Sequence, residues 1–186
     1  MPASRPRTPD PRLLQLVAEQ AVRVAGAGTT AGRRWLLVDL AGQRLALVET
    51  GRVMGLWPVS TAAAGPDNRE DSGGTPTGLH RVERRIGLTA APGTVFASRE
   101  ATGEQWRGEP DERDLILTRV LTLEGLEEGV NRGPGVDSRS RYIYIHGTNH
   151  EADVGRPVSH GCVRMTNRDV VELADLVREG DPVVIV

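Results

Sequence analysis

Apolar residues along this chain come in short bursts separated by turn residues. In "RWLLVDLAGQRLALVETGRVMGLWPVS" (34–60), three apolar runs are divided at Ala41-Gly42 and Thr50-Gly51. Turn signals between short, β-favouring runs predict a β-meander. "LHRVERRI" and "DLILTRVLTL" read as further strands. Tyr142-Ile143-Tyr144-Ile145 alternates aromatic and β-branched residues and predicts a strand ending at His146 and Gly147. Pro182 and "VVIV" close the chain as another.

Helical spacing appears in two places. Val170, Val171, Leu173, Ala174 and Val177 recur at helical intervals behind a Thr166 or Asn167 cap, with Gly180 as the expected end. Near the N-terminus, Asp10 as N-cap and Pro11 as first helical residue predict a short amphipathic helix. "AGAGTTAG" follows it as a small-residue linker, so residues 1–32 are expected to form an appendage and 33–186 the main domain. "AAAGPDNREDSGGTPTG" and "GVNRGPGVDSRS" are polar loops rich in Gly and Pro. Loops of such length are more often functional than accidental. The fold class expected is β-rich α+β with few helices.

Composition narrows the chemistry. With 186 residues the chain can bury roughly 70% of its unfolded surface, so a single domain needs no disulfide or metal staple. Its one cysteine forms no internal disulfide. The net charge of −2 gives no general attraction to nucleic acid or anionic lipid. All 23 basic residues are arginine, which excludes Schiff-base lysines and the P-loop lysine.

Gln15, Glu19, Gln20 and Arg23 interrupt the N-terminal apolar positions, leaving no apolar core of about 7–15 residues for an export signal. No stretch approaches the ~20 apolar residues of a membrane span. The expectation is a cytoplasmic protein without membrane insertion, with the periplasm as the alternative.

The lone Cys162 sits in "PVSHGCVRM", and His146, His150 and His160 lie close before it. A lone cysteine is often a small core hydrophobe. A thiol becomes a strong nucleophile when a histidine at hydrogen-bond distance takes its proton. Backbone N–H groups at a loop-to-helix turn can face an oxyanion, and Gly161 permits close approach there. The same His/Cys set admits a second reading, a zinc site with an open position for peptide hydrolysis. Against it, H-E-x-x-H is absent and Gly147 denies His146 and His150 a shared helical face. A non-catalytic binding module is a third reading, which the intact Cys/His pair opposes.

"YIYIHG" followed by "SHGCVRM", with "GGTPTG" upstream, resembles the L,D-transpeptidase (YkuD-type) catalytic domain from about Trp35 to Val186. The resemblance implies a sandwich-like β-rich fold and a cysteine nucleophile, with no cofactor or metal. Its substrates would be peptidoglycan stem peptides or muropeptides, cleaved between the L-centre of a diamino acid and D-alanine. By position it implies Cys162 as nucleophile and His146 as general base, with Gly147 and Thr148 orienting that histidine. Ser159, His160 and Gly161 would shape the oxyanion pocket, chiefly through backbone N–H groups; a catalytic role for His160 stays open. Arg164, able to bind a carboxylate bidentately, and Tyr144 are the expected substrate contacts. The long loops also resemble a smaller branch associated with L,D-carboxypeptidase activity in muropeptide recycling, where water is the acyl acceptor. Transpeptidation onto an amine is the alternative. Carbapenem-type inhibitors are implied for either.

Overall fold

The computed structural model describes residues 8–26 and 34–186. The linker and the expected boundary near Arg33 lie outside the described residues, save Ala25 and Gly26 at the helix end.

Asp10 accepts the Leu13 N–H at 2.8 Å, and helix α1 (Pro11–Gly26) follows. Pro11 has no N–H to waste in that first turn. Leu13, Val17 and Val24 share one stripe of α1 and bury against Trp35, Leu37, Ala46, Val48, Leu79 and Val184. The helix therefore covers one face of a sheet.

The predicted meander is present as β1 (Arg34–Asp39), β2 (Arg44–Glu49) and β3 (Arg52–Pro58). Thr50 and Gly51 turn at φ of 51° and 76°, the double positive φ that suits the twist of a two-residue hairpin. β4 (Gly78–Ile86), β7 (Ile116–Gly125) and β10 (Pro182–Ile185) are the other predicted strands. Between β4 and β7 stands an unpredicted hairpin, β5 (Thr94–Ala97) and β6 (Glu100–Gln105).

The sheet runs β3-β2-β1-β10-β4-β7-β5-β6. β8 (Tyr144–Gly147) joins the free edge of β7, and β9 (Val163–Met165) pairs with β8. The β1–β10 and β8–β9 pairs are parallel, so the sheet is mixed. β7 changes partners along its length: β4 along Val120–Gly125, then β5 at Ile116 and Leu117. A register shift in its pairing with β8 lies between, where Thr118 adopts φ 71°.

Alternate residues of the central strands, among them Leu36, Val38, Leu45, Leu47, Val183 and Ile185, turn to the face opposite α1. There they meet Leu121, Ile145, Val163 and Met165, and the buried stripe Val170, Leu173 and Ala174 of helix α2 (Asn167–Leu176). The result is the expected β-rich α+β fold, layered like a sandwich.

Two expectations change. The "YIYI" strand starts at Tyr144 rather than Tyr142: Tyr142 adopts φ 56°, and the Ile143 N–H goes to Ser138 O at 3.1 Å. A residue in the left-handed region cannot continue a ladder. Helix α2 stops at Leu176, before Gly180, because Val177 turns extended and Arg85 binds the Ala174 and Val177 carbonyls at 3.1 and 3.0 Å. Its predicted start holds, with Thr166 Oγ1 accepting from the Asp169 N–H.

Candidate active site

The parallel pairing of β8 with β9 sets the site. Ile145, His146 and Gly147 stand beside Val163, Arg164 and Met165, so Cys162 leads into β9 next to the strand that carries His146. The loop before it is tightly fixed. Gly161 adopts φ +130°, and a Cβ there would stand 3.2 Å from Gly74 O and 3.3 Å from Ile143 Cδ1. Only glycine takes this conformation without strain. The Ser159 hydroxyl donates to Cys162 O at 2.6 Å and accepts from the Gly161 N–H at 3.3 Å. Thr75, fully buried in "GGTPTG", accepts from the Ala62 N–H at 3.0 Å and donates to Gly161 O at 2.9 Å. That motif braces the cysteine loop from below.

The Cys162 thiol donates to Tyr142 O at 3.4 Å. Burial pushes it up to about 11, the Tyr144 N–H pulls the other way, and of the nearby charges Asp114 raises it while Arg164 and Arg141 lower it. The residue keeps partial solvent contact, so the penalty on its thiolate is smaller than for a fully enclosed sulfur. His146 is 2% exposed, and its Nδ1 lies 2.7 Å from Gly147 O. A carbonyl only accepts, so the proton resides on Nδ1 and the Nε2 lone pair is left for other work. Burial holds this imidazole down to about 4, against the Gly147 carbonyl and Asp114, which favour its charged form. At neutral pH the resting pair is therefore a thiol and a neutral imidazole.

The Gly147 carbonyl fixes the His146 ring through Nδ1. Thr148 is buried, but its hydroxyl accepts from the His150 N–H at 3.1 Å and its carbonyl from Asn167 Nδ2 at 2.9 Å. It secures the turn after β8 rather than the imidazole itself. The N–H groups of Ser159 and Gly161 are occupied, by Thr61 O at 2.8 Å and by Ser159 Oγ. Those of His160 and Cys162 have no partner among the described residues. The free backbone N–H groups of this loop are thus those of His160 and Cys162, and the Ser159 and Gly161 contacts hold the loop.

His160 is on the surface, with Nδ1 3.2 Å from Asp114 Oδ2. The same carboxylate accepts from Arg164. Arg164 corrects an expectation: its side chain is 5% exposed and engaged by Asp114, so it presents no open fork to a substrate carboxylate. Tyr144 corrects another, being 2% exposed with its hydroxyl accepting from Arg99 Nε at 3.1 Å. The tyrosine open to solvent here is Tyr142, 53% exposed, with the Arg99 guanidinium 4.9 Å over its ring. Asp114 and Arg99 escaped sequence reasoning because nothing local marks them; each reaches the site from a distant stretch of chain. His150 stays on the loop, half-buried. Among the described residues, no three His, Cys, Asp or Glu side chains gather as metal ligands.

The arrangement joins a thiol, a neutral imidazole with one nitrogen free, and two unpaired backbone donors, which suits acyl transfer. The sequence profile of the L,D-transpeptidase catalytic domain (YkuD) matches residues 33–185. YkuD of Bacillus subtilis, designated an L,D-transpeptidase, is 40% identical over 77 residues, which cover 38% of this chain and 47% of that protein. An L,D-transpeptidase from Mycobacterium smegmatis superposes over 83% of this chain and 58% of its own, with a TM-score of 0.51 and 14% identity. LdtMt1, in a complex with imipenem, matches 83% of this chain and 59% of its own at a TM-score of 0.51 and 16% identity. These matches thus span less than two thirds of each relative's length, and at such identity the two structures speak for the fold alone. Profile, fold and motif spacing agree: the chain belongs to the L,D-transpeptidase catalytic-domain family.

Proposed function

We propose that this protein is an L,D-carboxypeptidase that trims D-alanine from peptidoglycan stem tetrapeptides by way of a Cys162 thioester. The observation that carries the reading is the His146 Nδ1 to Gly147 O bond, which leaves Nε2 unprotonated on the strand beside Cys162. His146 Nε2 takes the thiol proton as sulfur attacks the carbonyl of the diamino acid's L-centre. The His160 and Cys162 N–H groups receive the oxyanion, each such donor being worth about 3 kcal/mol. As the tetrahedral intermediate collapses, the C–N bond breaks and His146 returns the proton to the departing amine of D-alanine. A water then gives a proton to Nε2 and attacks the thioester. The tripeptide leaves with a free carboxylate, and the proton passes back to sulfur.

A neutral resting pair fits this cycle, because the base is unprotonated before substrate arrives. Carbapenems are expected to acylate the same sulfur, in line with the imipenem complex of LdtMt1. The cytoplasm as place of action belongs to the same proposal and is checked by cell fractionation. The deciding experiment incubates the protein with a meso-diaminopimelate tetrapeptide, with and without a D-amino acid, and follows products by mass spectrometry. Tripeptide as the main product in both reactions is the expected result. Exchanged or dimeric peptide would assign the acceptor role to an amine, and loss of neither D-alanine nor carbapenem would overturn the acyl-transfer reading.

A further inference from the structure

The β5–β6 hairpin turns on two residues, Ser98 and Arg99, between the paired Ala97 and Glu100. Both stand in the left-handed region, at φ 48° and 73°. Such a turn favours Asn-Gly, and an arginine in its second place is a strained choice. Nor does the hairpin form to bury a core, since β6 is almost wholly exposed. The contacts of its tip give it another purpose.

Arg99 reaches the turn that runs into β8. Its Nη2 donates to Arg139 O at 2.7 Å and its Nε to the Tyr144 hydroxyl at 3.1 Å. The guanidinium lies 4.9 Å from the centre of the Tyr142 ring and 5.8 Å from that of Tyr144, and the two rings meet edge to face. One planar cation thus fixes residues 139, 142 and 144 together, by hydrogen bonds and by its attraction to the ring faces. The Arg139 side chain is tied in turn to Glu83 of β4 at 2.7 Å, so the turn is held from two sides.

Tyr142 carries the strain of that turn. A φ of 56° is uncommon for a bulky side chain, and its N–H donates to the same Arg139 O at 3.2 Å. This backbone directs the Tyr142 carbonyl at the sulfur, which donates to it at 3.4 Å. The resting thiol proton therefore points to Tyr142, whereas acyl transfer needs it on His146. An acceptor for S–H stabilises the thiol and opposes the thiolate.

We propose that Arg99 is a positioning residue for the nucleophile: by clamping Tyr142 in its left-handed conformation it holds that carbonyl on the Cys162 S–H and keeps the resting sulfur a thiol. The inference adds a control on the nucleophile to the acyl-transfer reading above, and it rests on that reading only for the role of Cys162.

Iodoacetamide reads the chain's one cysteine without substrate, and its rate is followed from neutral to alkaline pH. Arg99→Gly removes the guanidinium and suits the hairpin turn better than arginine does. It is expected to move the pH midpoint of alkylation down by about half a unit and to raise the rate at neutral pH about twofold, the more acidic thiolate being the weaker nucleophile. Asp114, Arg164 and Arg141, the charges that face the sulfur, and His146 on the adjoining strand are the same in both proteins. A loop merely loosened would react faster at every pH with its midpoint unmoved, and that result would overturn the proposal. Tyr142→Gly is the second variant, because glycine takes φ 56° without strain and loses only the ring beside Arg99. It is expected to give the same downward shift, not enlarged when both substitutions are combined, as for two parts of one clamp. Additive shifts would overturn the proposal as well. Arg99→Lys, which keeps a cation but not the fork, is expected to fall between Arg99→Gly and the wild type. D-Alanine release from a tetrapeptide is measured alongside: its absence in the wild-type protein would remove the acyl-transfer reading, while the alkylation midpoints decide the clamp independently.

Discussion

His160 Nδ1 stands 3.2 Å from Oδ2 of Asp114, an oxygen that also accepts from the buried Arg164. One carboxylate thus joins a surface imidazole to a guanidinium inside the fold. Asp114→Ala would leave Arg164, whose Nε already lacks a partner, without its counter-charge. A loss of about 1–3 kcal/mol is expected, smaller than for a fully enclosed pair because Asp114 is partly exposed. Urea midpoints measure it, and Asp114→Asn, which keeps one acceptor, should recover part of the loss.

The two histidines should separate cleanly in kinetics. His146 is buried with one nitrogen locked, whereas the His160 side chain is 83% exposed. His146→Ala is expected to lower kcat/KM by about 10²–10⁴-fold, the usual range for a lost general base. His160→Ala is expected to cost no more than about tenfold. Comparable losses in both, at equal folded fraction, would give His160 a share of the proton transfer.

Stability should fall in mild acid. His80 is fully buried between Gly78 O at 3.1 Å and Ser138 Oγ at 2.9 Å, and burial lowers it from 6.5 to about 4. His146 is lowered over the same interval, also by burial. As pH drops below 6.5 the unfolded chain takes up protons that the folded chain refuses until about 4. Stability from neutral imidazoles is thus complete above 6.5 and lost on the way down to 4. Each group contributes up to about 3 kcal/mol. Thermal unfolding between pH 7 and pH 4 measures the slope, and His80→Gln should remove about half of it.

Gly161→Ala tests the loop. The new methyl would meet the Gly74 carbonyl and Ile143 in a conformation that alanine resists, with a cost of about 1–3 kcal/mol. Thiol alkylation rate reads the local effect: a displaced loop should alter Cys162 reactivity more than the small change in melting temperature would suggest.

Strands that bury alternate or continuous apolar runs announce themselves, so the meander, β4, β7 and β10 were legible. The β5–β6 hairpin was not, since "EATGEQ" is almost entirely exposed and carries no apolar period. The start of β8 was obscured because Tyr142 has strand chemistry but a left-handed backbone. Local spacing singled out Cys162 and His146 as candidates, and it marked the glycine turn between His160 and Cys162. It could not disclose that Arg164 points inward to Asp114, fifty positions earlier in the chain, or that Thr75 supports Gly161 from eighty-six positions away. Those contacts are set by tertiary packing, and the sequence signal for them is no stronger than for any other Asp or Thr.

The place of β10 has a kinetic consequence. Residues 182–185 lie mid-sheet, parallel to β1 on one side and antiparallel to β4 on the other. Until they are synthesised, β1 and β4 each expose an unpaired ladder edge, and the layers that carry the Cys162 loop and His146 lack a common floor. Folding must wait for a contact between distant parts of the chain, which makes it slow and leaves sticky edges exposed meanwhile. Newly made chains should accordingly depend on holding chaperones during synthesis, and removal of only these four residues should abolish folding rather than merely weaken it.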